Sequence, residues 1–160
     1  MAVIYVVDNT VLSNYARIRR PDLLERAVAP NAIIPPAVKQ ELDLGEALGI
    51  VPRLNWQWLP VTELNTLEQA LADELRVYVH AGEAECLAVA VNRKGIILTD
   101  DRGARRQGAK RGVEISGTIG VLSVLVRNNR LPVSEADNYL AAMIAGGFHS
   151  PVRSLKELHL

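Results

Sequence analysis

Ala2-Val-Ile-Tyr-Val-Val-Asp8 is an unbroken apolar run closed by an acid. A strand with one wet face alternates apolar and polar side chains, whereas a strand covered on both faces is apolar throughout. The run therefore predicts a strand inside a parallel sheet with helices on either side. Ala32–Ile34, Ile96–Thr99 and Val113–Ile115 repeat the pattern, and Leu59–Val61 repeats it more weakly. Segments of helical period separate them. Pro36 stands where a helix begins, with Val38, Leu42, Leu44 and Leu48 following at spacings of mostly three and four. Thr66-Leu-Glu-Gln69 and Ser134-Glu-Ala-Asp137 resemble capping boxes, and Gly112 stands where a helix would end before the next strand. Strands alternating with helices predict a three-layer α/β/α sandwich around a central, mostly parallel sheet. No linker or repeat divides residues 1–160, so one domain is expected.

Composition narrows the class. The 160 residues are 49% hydrophobic and 22% charged but only 4% aromatic, so the core is aliphatic. Eighteen basic and eighteen acidic side chains cancel, leaving charge distribution rather than total charge to define any polyanion site. Cys86 is the single cysteine and has no intramolecular partner, which fits a reducing compartment. The opening residues lack a basic stretch, and no apolar run approaches a membrane span, so the expected location is cytoplasmic.

Ligand sites of open parallel sheets lie at the carboxyl ends of the strands. Two runs end there in acid: the first reaches Asp8, and Ile96–Thr99 reaches Asp100 and Asp101. Each acid taken singly reads equally as a helix N-cap. Glu41 falls on a ridge with Ala37, Leu44 and Leu48 that is otherwise apolar, and the alternative is a glutamate at the edge of a buried stripe. Glu83 and Glu85 open an apolar helix through Val91, where the helix dipole favours negative charge. Together these acids predict more than they do singly. Carboxylates gathered at one sheet end repel one another, and a hard divalent cation removes the conflict. All-oxygen ligation selects Mg²⁺ or Mn²⁺, and His80, His149 and His159 show no zinc-ligand spacing. Thr10 and Ser13 could hold metal-bound water.

Four segments resemble PIN domains in order and spacing: Val6-Val-Asp-Asn-Thr-Val-Leu12, Ile34-Pro-Pro-Ala-Val-Lys-Gln-Glu-Leu42, Gly82-Glu-Ala-Glu-Cys-Leu-Ala-Val-Ala90 and Ile97-Leu-Thr-Asp-Asp-Arg-Gly-Ala-Arg105. The similarity extends from about Val3 to Leu125 and is strongest to small prokaryotic, VapC-type proteins. It implies a metal-dependent endoribonuclease, the toxin of a toxin–antitoxin pair, with an antitoxin protein and a second copy of the chain as partners. It implies ligand roles for Asp8, Glu41, Glu85 and Asp101, with Asp100 and Glu83 as alternatives at the last two motifs.

RNA needs cations near its phosphates. Arg102 and Arg105 follow the last acid pair and are the candidates, although a charge run is commonly a solvated helix face. Two other readings stay open. One is a PIN-fold module that binds RNA or a protein without cutting. The other is a phosphate-handling domain with Asp8 as acceptor, served by Thr99 or Ser116, in which Glu41 would have no task.

Overall fold

A computed structural model describes residues 2–160. In chain order the elements are β1 (Tyr5–Val7), α1 (Asn9–Arg17), α2 (Pro21–Val28), β2 (Ala32–Ile33), α3 (Pro36–Ala47), α4 (Thr66–Leu75), α5 (Ala81–Arg93), β3 (Ile96–Leu98), α6 (Arg102–Lys110), β4 (Glu114–Ser116), α7 (Thr118–Arg127), α8 (Val133–Ala145) and a 3-10 turn over Leu155–Leu158. The four strands are all parallel, in the order β2-β1-β3-β4. The helices cover both faces in an α/β/α sandwich: α5 packs on β1 and β3 with α3, α4 and α6 around it, and α1, α2, α7 and α8 pack together. No helix among the described residues is long and apolar enough to cross a membrane.

The core follows from the aliphatic runs. Val6, Val7, Ile97 and Leu98 from the central strands are at most 2% exposed, and Cys86 through Ala90 of α5 are equally hidden. The continuous apolar reading was therefore right for β1, β3 and α5. β1, β2 and β3 are shorter than their runs, because only residues paired with a neighbouring strand join the ladder, whereas β4 lies one residue beyond Val113–Ile115 and opens on exposed Glu114, so it is not covered on both faces as expected. Leu59–Val61 forms no strand; Val61 makes one parallel bridge to Ile34.

Some local expectations need correction. The box near residue 66 is shifted by one: Asn65 accepts from the Glu68 N–H, and Glu68 accepts from the Asn65 N–H. Ser134 to Asp137 is no box at all. Pro132 caps α8, and Asp137 instead accepts from Ser154 Oγ (2.8 Å) and the Leu155 N–H (2.7 Å), tying the C-terminal tail to that helix. On α3 the buried residues are Ala37, Val38 and Leu42, whereas Leu44 and Leu48 are 59% and 65% exposed. The ridge bearing Glu41 thus leaves the core after its first two turns. Gly112 does sit after α6 with a left-handed φ of 69°, the conformation expected where a helix must stop sharply.

Candidate functional site

Register builds the site. Val7 pairs with Leu98, and the Asp8 N–H donates to the Leu98 carbonyl at 2.9 Å, so the residues just past both strands, Asp8 and Thr99, stand side by side. Asp8 is 1% exposed. It occupies the N-cap position of α1 yet makes no side-chain cap bond, so its carboxylate is committed elsewhere. Thr10 Oγ1 and Thr99 Oγ1 each donate to Asp8 Oδ2 at 2.8 Å. Burial raises the Asp8 pKa, outweighing the hydroxyl bonds that lower it.

Glu41 and Glu83 approach from the helices above. Gly82 leaves room for Glu41 in this position: a Cβ there would fall 2.1 Å from Glu41 Oε1 and displace that carboxylate. Glu41 is pushed up to about 7, by desolvation first and then by the charges of Asp8 and Glu83. The Glu83 pKa is raised by burial and by Asp8 and Asp101. Glu83 is 8% exposed, and its Oε2 is buried without a hydrogen-bond partner. Asp101 caps α6, accepting from the Ala104 N–H at 2.7 Å.

Glu85 does not join this group. Two residues along a helix is a rotation of about 200°, so Glu83 and Glu85 face nearly opposite ways. Glu85 Oε2 accepts from the Ala37 N–H at 3.1 Å, satisfying an otherwise free donor in the first turn of α3. Its pKa is raised by burial, and the charges that act on it are Glu63 and Arg76 rather than Asp8. The third acid turned to the cluster is Glu83, and Glu85 is a helix-capping residue.

Asp100 is also committed to structure. Its Oδ1 accepts from the Thr118 N–H (3.0 Å), and its Oδ2 from Thr118 Oγ1 (2.6 Å) and Asn14 Nδ2 (3.1 Å). It therefore fastens α7 to the end of β3, leaving Asp101 as the acid whose charge reaches Glu83. Thr10 holds Asp8 and accepts from the Asp100 N–H at 3.0 Å, whereas Ser13 lines a cleft beside Glu41 without a side-chain hydrogen bond among the described residues. Arg105 Nε donates to the Thr99 carbonyl at 3.0 Å, and Arg102 lies exposed at the start of α6. Sequence reasoning did not give Thr99 its part. It ends its run as a polar residue beside Asp8, and its hydroxyl both donates to Asp8 and accepts from the Asp101 N–H at 3.1 Å.

The donor set suits a hard divalent cation. It is all oxygen, it is crowded with negative charge, and one buried glutamate oxygen has nothing to bond. Among the described residues, no three of these groups already stand at mutual ligating distance.

A family model described as a PIN domain matches residues 4–159, and the chain belongs to that family. PIN domains are generally nucleases, and such nucleases generally use divalent metals. No curated protein sequence matches the chain. The crystal structure of FitAcB from Neisseria gonorrhoeae is similar over 71% of this chain and 96% of its own, at 17% identity and a TM-score of 0.49.

Proposed function

We propose that this chain is a metal-dependent endoribonuclease in which Asp8, Glu41, Glu83 and Asp101 hold Mg²⁺ or Mn²⁺. The observation that carries the reading is the gathering of acids from β1, α3, α5 and the end of β3, with raised pKa values at Asp8, Glu41 and Glu83 and an unpartnered Glu83 oxygen. A bound cation would supply activation of water and stabilisation of charge on the phosphoryl and leaving oxygens.

The chain's own groups divide the remaining work. Asp8 is locked by the two threonine hydroxyls, so its carboxylate cannot turn away from the cluster. Glu41, with a pKa of about 7 before a cation binds, would give up its proton as the cation is taken up, which couples metal binding to pH near neutrality. Arg102 and Arg105 flank the acids and would meet substrate phosphates. Leu44, Leu48 and Ile50, each exposed at the end of α3 or just beyond it, support a homodimer, and an antitoxin partner follows from the VapC-like resemblance.

Incubation with single-stranded RNA and Mn²⁺ or Mg²⁺, beside Asp8→Asn, tests the reading. Cleavage by the native chain alone is expected. Equal cleavage by both would point to a contaminant, and absence of cleavage by either would leave a PIN-fold module that binds without cutting.

A further inference from the structure

The acid cluster is a poor landing place for a polyanion, and a chain with no net charge offers no long-range attraction. The cations that compensate are local. A cleft of about 290 Å³ runs along Thr10, Ser13, Arg17 and Glu41. A larger one of about 720 Å³ runs along Arg102, Arg105, Ser116 and Arg153. Asp100, Phe148 and His149 line both, so the two clefts adjoin, and side by side they make a trough with Glu41 in its smaller part. Its only carboxylate beyond Glu41 is Asp100, whose oxygens are already occupied by Thr118 and Asn14. Arg102 and Arg153 are exposed, and among the described residues neither is in an ion pair.

Arg153 is not on a fraying end. Its N–H donates to Glu157 Oε2 at 2.8 Å, Ser154 Oγ and the Leu155 N–H both bond Asp137 of α8, and the Leu155 side chain is fully buried. A terminal segment this well tied down holds its side chains at a fixed place on the surface. It presents a guanidinium with no ion-pair partner among the described residues to the larger cleft, the one that Glu41 does not line.

We propose that this trough carries the RNA strand on one side of the scissile bond, and that Arg153, together with Arg102, grips its phosphates. The proposal rests on the nuclease reading only for where the scissile bond lies. The trough's affinity for RNA is measured separately, in EDTA, with fluorescein-labelled oligouridine followed by anisotropy across a salt series. Losing one single-strand phosphate contact changes the logarithmic salt slope by about 0.7, which at 0.1 M salt is about fivefold in affinity. Arg153→Ala is expected to show both changes, Arg153→Lys to recover most of each, and Arg127→Ala, at the far end of α7, to show neither. Circular dichroism melts establish that each variant is folded. Native affinity and an unchanged salt slope in Arg153→Ala would overturn the proposal, as would failure of the native chain to bind. Binding as expected without cleavage in Mn²⁺ would remove the nuclease reading and leave the trough standing. Cleavage with a salt slope indifferent to Arg153 would do the reverse.

Discussion

At the scale of single residues, the decisive contrast is between Glu83 and Glu85, two acids in one helical turn with unrelated partners. Glu83 is turned to Asp8 and Asp101, whereas Glu85 bonds the Ala37 N–H. Glu83→Gln should therefore abolish metal-dependent cleavage with little loss of fold, since it removes a repelled charge. Glu85→Ala should keep cleavage and lose roughly 1 kcal/mol of stability, the usual worth of a helix N-terminal cap, read from denaturant melts. The opposite assignment, with Glu85→Ala inactive and Glu83→Gln active, would sink the site as built here. The sequence could not separate the two. Both lie in the first turn of α5, and which faces the sheet end depends on the rotation at which the helix docks, a tertiary property. Asp8 was legible because a strand fixes the residue that follows it. Arg153 was not, because its place depends on a hydrogen-bonded anchor to Asp137 that no local pattern announces.

At the scale of elements, charged side chains fasten helices to the sheet and to one another. Asp100 receives the first N–H of α7, the Thr118 hydroxyl and the buried Asn14 amide. Asp100→Ala would strand these donors, each costing about 1–3 kcal/mol when left unsatisfied out of water, so a marked fall in melting temperature is expected. Asp101→Asn keeps an acceptor for the Ala104 N–H, so it should melt close to native while losing metal binding. Similar melting of the two variants would contradict this division of labour. The α4–α5 pair is held likewise: Glu68, fully buried, accepts from Arg93 Nε at 2.7 Å and from Asn92. Glu68→Ala leaves Arg93, which is still partly exposed, without its carboxylate. A loss approaching the ~3 kcal/mol seen when one half of a buried pair is removed is expected, and a change under a few tenths would refute it. The elements themselves were readable where one physical demand dominated, as in the doubly covered strands and in Pro36 opening α3. They were misread where tertiary contacts chose among equal options, as with Asn65 over Thr66 as cap and with Leu44 and Leu48, whose apolar character serves a surface instead of the core.

At the scale of the whole molecule, the acid cluster should make stability depend on pH in an unusual direction. Asp8, Glu41 and Glu83 all have folded pKa values above their ordinary ones, so the folded chain holds these protons more tightly than the unfolded chain does. Such groups favour folding fully below the unfolded value of 4.5 for the glutamates, and the advantage is lost as pH rises through about 7, where Glu41 ionises. Glu68 and Asp22 act oppositely. Their pKa values are lowered by Arg93 and Arg20, to about 2 for Glu68, so their contribution is lost only as the solution becomes strongly acid. The two trends together place the stability maximum of the metal-free chain on the mildly acid side, with a decline through neutrality. A divalent cation binds the ionised acids and not the unfolded chain, so its stabilisation should grow with pH and flatten the decline. Asp8→Asn removes a charge that raises both Glu41 and Glu83, so its metal-free decline should be shallower and its response to Mn²⁺ small. Melting temperatures between about pH 4.5 and 8.5, with and without Mn²⁺, check all three statements on a scale set by proton linkage. A native chain whose melting temperature climbs steadily through neutrality without metal would show that the carboxylates do not share one field. In that case Glu41 and Glu83 would titrate independently of Asp8, and the metal site proposed for these acids would lose its support.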